Sequence, residues 1–354
     1  MPPTPQVPAR PRRWLLWLRR LILGVLVLLV GADVGLHLAG IHAHMPTFCT
    51  WNPRMGCVTK PNLHESLEFF SQHLAFTTNA QGLRNGPIDA KKPGWKRVLV
   101  LGDSVTFAPQ VPDGAPFANL LDLELFKDQI EVINGGSIFL RATEQELSWF
   151  LDVGAALQPD LVVLEFTERN DFADNQHQYW WQPGKNGLER QTDVQPPSYH
   201  GWVLRFNETP VVQWLDAHSR LFGLARLGFW NIMHLPRVDT NKRWRESTDD
   251  VVARLQQEVA ARGGRLAVLV YPSPEHLAGL RGEREWHADN DNARILAIVK
   301  AHNIPYLDLT PAMQPATAKV WLDDDGHLTL AGHKAVADLL APQVRAWLAP
   351  TPVK

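Results

Sequence analysis

Five short apolar runs constrain this chain more than any other feature: RVLVLG (97–102), IEVIN (130–134), DLVVLEF (160–166), RLAVLVYP (265–272) and IPYLDL (304–309). They are apolar without strict alternation, so each predicts a strand buried on both faces. Between and after them lie segments of helical period, near 116–127, 142–157, 249–262, 289–302 and 330–348. Strand and helix alternating in this way predict an α/β domain, a mostly parallel sheet with helices on both sides. In such sheets ligands sit beyond the carboxyl ends of the strands. Asp103 and Ser104 follow the first run on that edge, Asn134 the second, and Glu168-Arg169-Asn170-Asp171 the third.

The chain ahead of this pattern is of another kind. Residues 1–20 hold Arg10, Arg12, Arg13, Arg19 and Arg20 and no acid, and LILGVLVLLVGADVGLHLAG (21–40) is interrupted only by Asp33 and His37. About 20 apolar residues cross a bilayer as a helix, and Trp14 and Trp17 suit its interface. The expected layout is a basic cytoplasmic tail (1–13), a single transmembrane anchor (14–41) in a bacterial inner membrane, and everything beyond it in the periplasm or outside the cell. A cleaved signal peptide is the alternative, although its apolar core usually runs to only about 7–15 residues. Residues 42–96, with five scattered prolines, read as a linker, and 97–350 as the folded domain. Inside it, 173–247 is too long for an ordinary βα connection. That stretch holds Trp180, Trp181, Trp202, Trp214, Trp230 and Trp244, six of fourteen tryptophans, and reads as an insertion capping the active edge. Most of its aromatics are expected to form the cap's own core, with some left to stack on sugar rings or to meet a membrane surface.

A formal net charge of −2 argues against a nucleic-acid partner. Cys49 and Cys57 allow one local bridge or two free thiols. No phosphate loop, Rossmann glycine fingerprint or His-Glu-x-x-His pattern occurs, so no cofactor and no metal are expected. His42 and His44 read as exposed linker residues.

Ser104 ends a buried strand in a turn, a placement that presents a nucleophile. A serine needs a base, a group orienting that base, and donors for the oxyanion. Of fourteen histidines, His327 has the best setting, WLDDDGHLTLAGHKAVADLL (321–340). Asp324 stands three residues before it on a Gly-containing loop, a spacing that lets carboxylate and imidazole meet. His333 is the competing base, but it falls in the last helix, where packing or capping is expected of it. Asp103 reads as a turn-stabilising residue.

GDSVT (102–106), ERND (168–171) and DDGH (324–327), in that order, resemble the conserved blocks of the SGNH, or GDSL-like, hydrolases over roughly residues 97–348. The resemblance implies a three-layer αβα, flavodoxin-like, five-stranded sheet. It makes Ser104 the nucleophile and Asp324 and His327 its triad partners. The Asn170 side chain and the Ser104 backbone N–H become oxyanion donors. The second block departs from the family. In INGGSIFLRATEQEL (133–147), Phe139 stands where an oxyanion glycine is usual, and Gly136 is the nearest candidate donor. The third block carries Glu168-Arg169 where a glycine often precedes Asn-Asp. The implied activity is ester hydrolysis through an acyl-serine, with an acylated carbohydrate (O-acetyl groups of an envelope polysaccharide) or a lipid ester as substrate. An O-acyltransferase using the same acyl-enzyme and a non-catalytic carbohydrate-binding protein are the alternatives.

Overall fold

A computed structural model describes residues 13–41, 48–69, 72–137, 142–175, 180–185, 187–194, 206, 209–233, 247–277, 288–313, 320 and 326–350. All five apolar runs become strands of one sheet: β5 (Lys96–Gly102), β6 (Ile130–Gly136), β7 (Leu161–Thr167), β10 (Arg265–Tyr271) and β11 (Tyr306–Asp308). Their order is β11-β10-β7-β5-β6, and every pairing is parallel. This is the flavodoxin-like order, in which the chain leaves the first strand toward one edge and then returns to build toward the other. The reversal falls between β5 and β7, the place where sheets of this order bind their ligands.

Alternate residues of each strand enter two separate cores. Val98, Val100, Val132 and Leu269 pack with Phe117, Leu121 and Leu125 of α3 (Phe117–Leu125) and with Val336, Leu340 and Val344 of α12 (Leu330–Leu348). Leu99, Leu101, Ile133, Leu164 and Val268 face the other way. Their partners are Leu147 and Phe150 of α4 (Thr143–Asp152), Val251 and Leu255 of α8 (Thr248–Ala260), and Ile295 and Val299 of α10 (Ala288–Ala301). A strand with two buried faces has no polar face to show, which is why the runs are continuously apolar.

The stretch expected to be a linker is folded. It forms two hairpins, β1 (Cys49–Asn52) with β2 (Gly56–Thr59) and β3 (His64–Phe69) with β4 (Gln72–Thr77). Cys49 and Cys57 are bridged across the first. Side chains beyond the prolines tie the region to the domain: Arg54 pairs with Asp152 of α4 at 2.8 Å, and Lys91 with Asp160 ahead of β7. These ties are long-range and leave no local pattern in the sequence.

The insertion is not one cap. Its start, with the hairpin β8 (Trp181–Gly184) and β9 (Gly187–Arg190), joins the sheet domain. Trp180 and Trp181 are buried there, and the Trp181 indole donates to Ser148 Oγ at 2.9 Å. Residues 207–238 instead group with residues 1–46 and 67–71 as a second compact unit. Trp202 and Trp244 lie outside the described residues, as does the Trp230 side chain.

In that second unit, α1 (Arg13–Leu38) accompanies α6 (Pro210–His218) and α7 (Arg220–Met233). The Asp33 carboxylate accepts the Leu221 N–H at 2.8 Å and the Ser219 hydroxyl at 3.0 Å. The acid that interrupts the apolar run therefore satisfies the free donors at the start of α7. Arg226 and Asp216 pair between α7 and α6. The span Trp14–Leu38 is long and apolar enough to cross a membrane, and none of it is buried.

Candidate active site

Ser104 stands at the switch point. It opens α2 (Ser104–Phe107), a single helical turn directly after β5, and Asp103 caps that turn by accepting the Val105 N–H at 2.8 Å. The turn closes at Ala108, in the left-handed region at φ 54°. Arg84, from the folded region once read as a linker, secures this closure. Its buried guanidinium donates to the carbonyls of Phe107, Ala108 and Val111 and pairs with Asp113. Burial lowers the Arg84 pKa, and Asp113 opposes that shift.

The loop before α12 brings His327 to the serine. Its Nε2 lies 2.9 Å from Ser104 Oγ across 223 residues of chain, a distance at which the hydroxyl donates to the imidazole. Gly326 supplies the positive φ of 79° that the loop needs just before the histidine. Its carbonyl accepts the Tyr271 hydroxyl at 2.8 Å, which ties the loop to the end of β10. Asp324, the expected orienting acid, lies outside the described residues, as does Phe139.

His333 has the packing role expected of it. It is buried in α12, and its Nδ1 accepts the Phe117 N–H at 3.2 Å. Burial, aided by the nearby Arg84 and His327, lowers its pKa to about 3, so the ring is neutral.

Two of the three expected oxyanion donors are engaged in the resting site. Asn170 lies beside Asp103, and its side-chain amide donates to Asp103 Oδ2 at 3.1 Å and to Asp174 Oδ2 at 3.0 Å. Gly136 donates its N–H to Asn134 Oδ1 at 3.0 Å. A Cβ at Gly136 would press into the Thr106 and Phe107 backbone, so the residue's visible role is to let β6 approach the serine turn. The Ser104 N–H, at the first position of its helical turn, has no partner among the described residues.

A nest of acids lies behind the serine. Glu165 is buried in β7, accepting from Thr106 at 3.0 Å and from Thr167 at 2.7 Å. Asp171 and Asp174 belong to α5 (Asp171–Asp174), and Asp171 accepts the Thr167 N–H at 2.8 Å. Burial raises the Asp103 pKa against the lowering pull of its donors and His327. Burial and the Asp103 charge push Glu165 well above the ordinary carboxyl range, and Asp171 rises likewise. Burial brings Asp174 to about 6. Like charges this close cannot all ionise, so the nest holds protons at neutral pH. Sequence reasoning missed it. The available signals were Glu165 inside the apolar run LVVLEF, and Glu168, Asp171 and Asp174 spaced by three after it. Among the described residues, no group of three or more His, Cys, Asp or Glu is placed to hold a metal.

Fold and contact together define a class, an α/β domain with a serine–histidine pair at the sheet's switch point. Residues 235–352 match the family described as SGNH hydrolase-like domain, acetyltransferase AlgX. That segment of the chain is similar to an SGNH hydrolase-like domain, in agreement with the resemblance of the three motifs. The matched segment includes His327 and the last helix but not Ser104 or Asn170. Similar solved structures include the lipase/acylhydrolase from Enterococcus faecalis, at 14% identity and a TM-score of 0.42, covering 73% of this chain and 100% of that one. A GDSL-like lipase from Bacteroides thetaiotaomicron aligns at 15% identity and a TM-score of 0.39, covering 71% and 88%. The acetyl xylan esterase AlAXEase aligns at 17% and 0.40, covering 70% and 99%. No curated protein matches the chain.

Proposed function

We propose that this protein is a membrane-anchored serine enzyme that removes acyl groups from oxygen esters, with O-acetyl groups on an envelope polysaccharide as its substrate. The single observation that carries the reading is the 2.9 Å contact between His327 Nε2 and Ser104 Oγ at the switch point. Ser104 attacks the ester carbonyl as His327 takes its proton. Asp324 holds the His327 tautomer and stabilises the imidazolium, in the manner of a Ser-His-Asp triad. The tetrahedral oxyanion takes hydrogen bonds from the Ser104 N–H and from the Asn170 amide, which exchanges one of its two carboxylate acceptors for it. His327 then returns the proton to the leaving alcohol, and the acyl group stays on Ser104 until an acceptor removes it.

Water as the acceptor gives hydrolysis. A second hydroxyl gives transfer, and the acetyltransferase named in the matched family's description favours this as the second reading. The apolar helix Trp14–Leu38, with basic residues ahead of it, supports the anchor and an exported catalytic domain. A fluorophosphonate probe tests the nucleophile: the wild-type protein is labelled and Ser104→Ala is not. Equal labelling of the two overturns the assignment. Release of acetate from an acetylated glycan, measured with and without an added glycan acceptor, separates hydrolysis from transfer.

A further inference from the structure

Beside the His327 loop lies a second histidine held by a carboxylate. His276, on the short turn α9 (Pro274–Leu277) after β10, places Nδ1 2.8 Å from Glu168 Oε1 and 3.0 Å from Oε2. Glu168 sits in the third motif, directly before Arg169-Asn170, and its side chain has no exposure. The backbone N–H of Ser273, at 2.9 Å, and that of Asn292 also donate to it. The Ser273 hydroxyl in turn accepts the His276 backbone N–H at 3.1 Å, which fixes the short turn that carries the ring.

The pair adjoins the catalytic loop. Pro274, two residues before His276, lies 3.6 Å from where a Cβ on Gly326 would sit, and Gly326 precedes His327. Tyr271, at the end of β10, donates to the Gly326 carbonyl, and its own carbonyl accepts the Glu168 N–H at 3.0 Å. Tyr271 therefore ties both the Glu168 backbone and the His327 loop to the end of β10.

Burying a carboxylate is costly unless it is paired, and a buried carboxylate on one imidazole nitrogen dictates what the other can do. With Nδ1–H donating to Glu168, the neutral ring keeps Nε2 as an acceptor. That nitrogen has no partner among the described residues, and the side chain is 21% exposed. Such a ring is poised for a ligand group that donates one hydrogen bond. The ester oxygens of the proposed substrate cannot donate, but the free hydroxyls flanking an ester on a sugar can. Metal binding is the less favoured occupant, since no third ligand joins the pair among the described residues.

We infer that His276, oriented by Glu168, is a substrate-binding residue whose Nε2 accepts a hydrogen bond from a free sugar hydroxyl next to the scissile ester. The inference rests on the proposed esterase or transferase reading and deepens it. It makes the enzyme selective for partly acylated glycans over fully acylated ones.

The test uses the full-length protein and two acetate esters of one sugar, a mono-O-acetyl glucose with free hydroxyls and the penta-acetate with none. The quantity read is the ratio of kcat/KM for the first to that for the second. His276→Ala lowers this ratio by about tenfold or more, mainly through KM on the mono-acetate, as expected when a polar partner is lost. His276→Gln, which keeps an acceptor oxygen, restores most of it, and Glu168→Gln gives an intermediate loss. Equal losses on both esters in His276→Ala, or an unchanged ratio, overturn the inference while the esterase reading stands. A wild-type protein inert to both esters and unlabelled by the fluorophosphonate overturns the esterase reading, and the inference with it.

Discussion

Toward the last helix, Ser104 has histidines for neighbours; toward β7 and α5, it has carboxyl groups. The two neighbourhoods bury ionisable side chains to similar depth, yet they differ in how they remain uncharged. On the histidine side, burial strips the proton from His333, while His327, half-buried, keeps a nitrogen against the serine hydroxyl. On the acid side, burial favours the protonated form of Glu165, Asp171 and Asp174, which gather around donors from Thr106, Thr167 and Asn170. The comparison shows one physical effect, desolvation of charge, working in opposite directions on bases and acids. It also separates the group proposed to exchange a proton from those that only shape its surroundings.

The sharpest way to break this contrast is to exchange the fates of the two histidines. His327→Ala lowers kcat/KM for p-nitrophenyl acetate on the order of 10⁴-fold, as loss of a general base does. His333→Gln changes it by less than about threefold, since that ring is packed away from the chemistry. Comparable losses in both variants would erase the distinction between base and packing residue. Asn170 joins the acid nest to the proposed reaction. Asn170→Ala lowers kcat by about 10²- to 10³-fold with KM little changed, the usual cost of one oxyanion donor. A loss confined to KM would leave Asn170 as a scaffold for Asp103 and Asp174.

Two smaller effects are read as stability against pH, and their slopes have opposite signs. Asp174 has a folded-state pKa of about 6, above its unfolded value. Between those two values the native state binds the extra proton, so its contribution is present in acid and is lost as pH rises through 6. Thermal or denaturant melts of Asp174→Asn lack this loss, and the variant gains on the order of 3 kcal/mol relative to wild type between pH 4 and 7. His333, at about 3 when folded, behaves in reverse. The unfolded chain takes up its proton first, so stability falls as pH drops below 6.5. His333→Gln removes about 2 kcal/mol of the loss that wild type suffers between pH 7 and 5. Parallel slopes in the two variants would show that the neighbourhoods do not differ as described.

The sheet was legible because its strands obey a local rule. A strand covered on both faces must be apolar at successive residues, and VLVL in β5 or VVL in β7 announces that without reference to anything distant. Ser104 and His327 were legible for a related reason, since each lies in a short motif at the end of a predicted strand or before a predicted helix. Arg84 was not. Its role, closing the turn after Ser104, depends on carbonyls 23 to 27 residues away and on the fold that gathers them. The hairpins of the presumed linker were obscured for the same reason, because the Cys49–Cys57 bridge and the Arg54–Asp152 pair are invisible to periodicity.

The sequence by itself determined the kind of sheet, the strand that carries Ser104, the motif that carries His327 and the long apolar helix near the amino terminus. Each follows from residue types within one turn or one strand length. Only the tertiary structure decided that Trp180 and Trp181 belong to the sheet domain's core and that Asp33 caps α7. It alone brought the acids of β7 and α5 together behind Ser104 and placed Glu168 against His276. Burial and hydrogen-bond partnership across long stretches of chain are properties of the folded whole, and those two properties set which groups carry charge, which stay neutral and which remain open to a ligand.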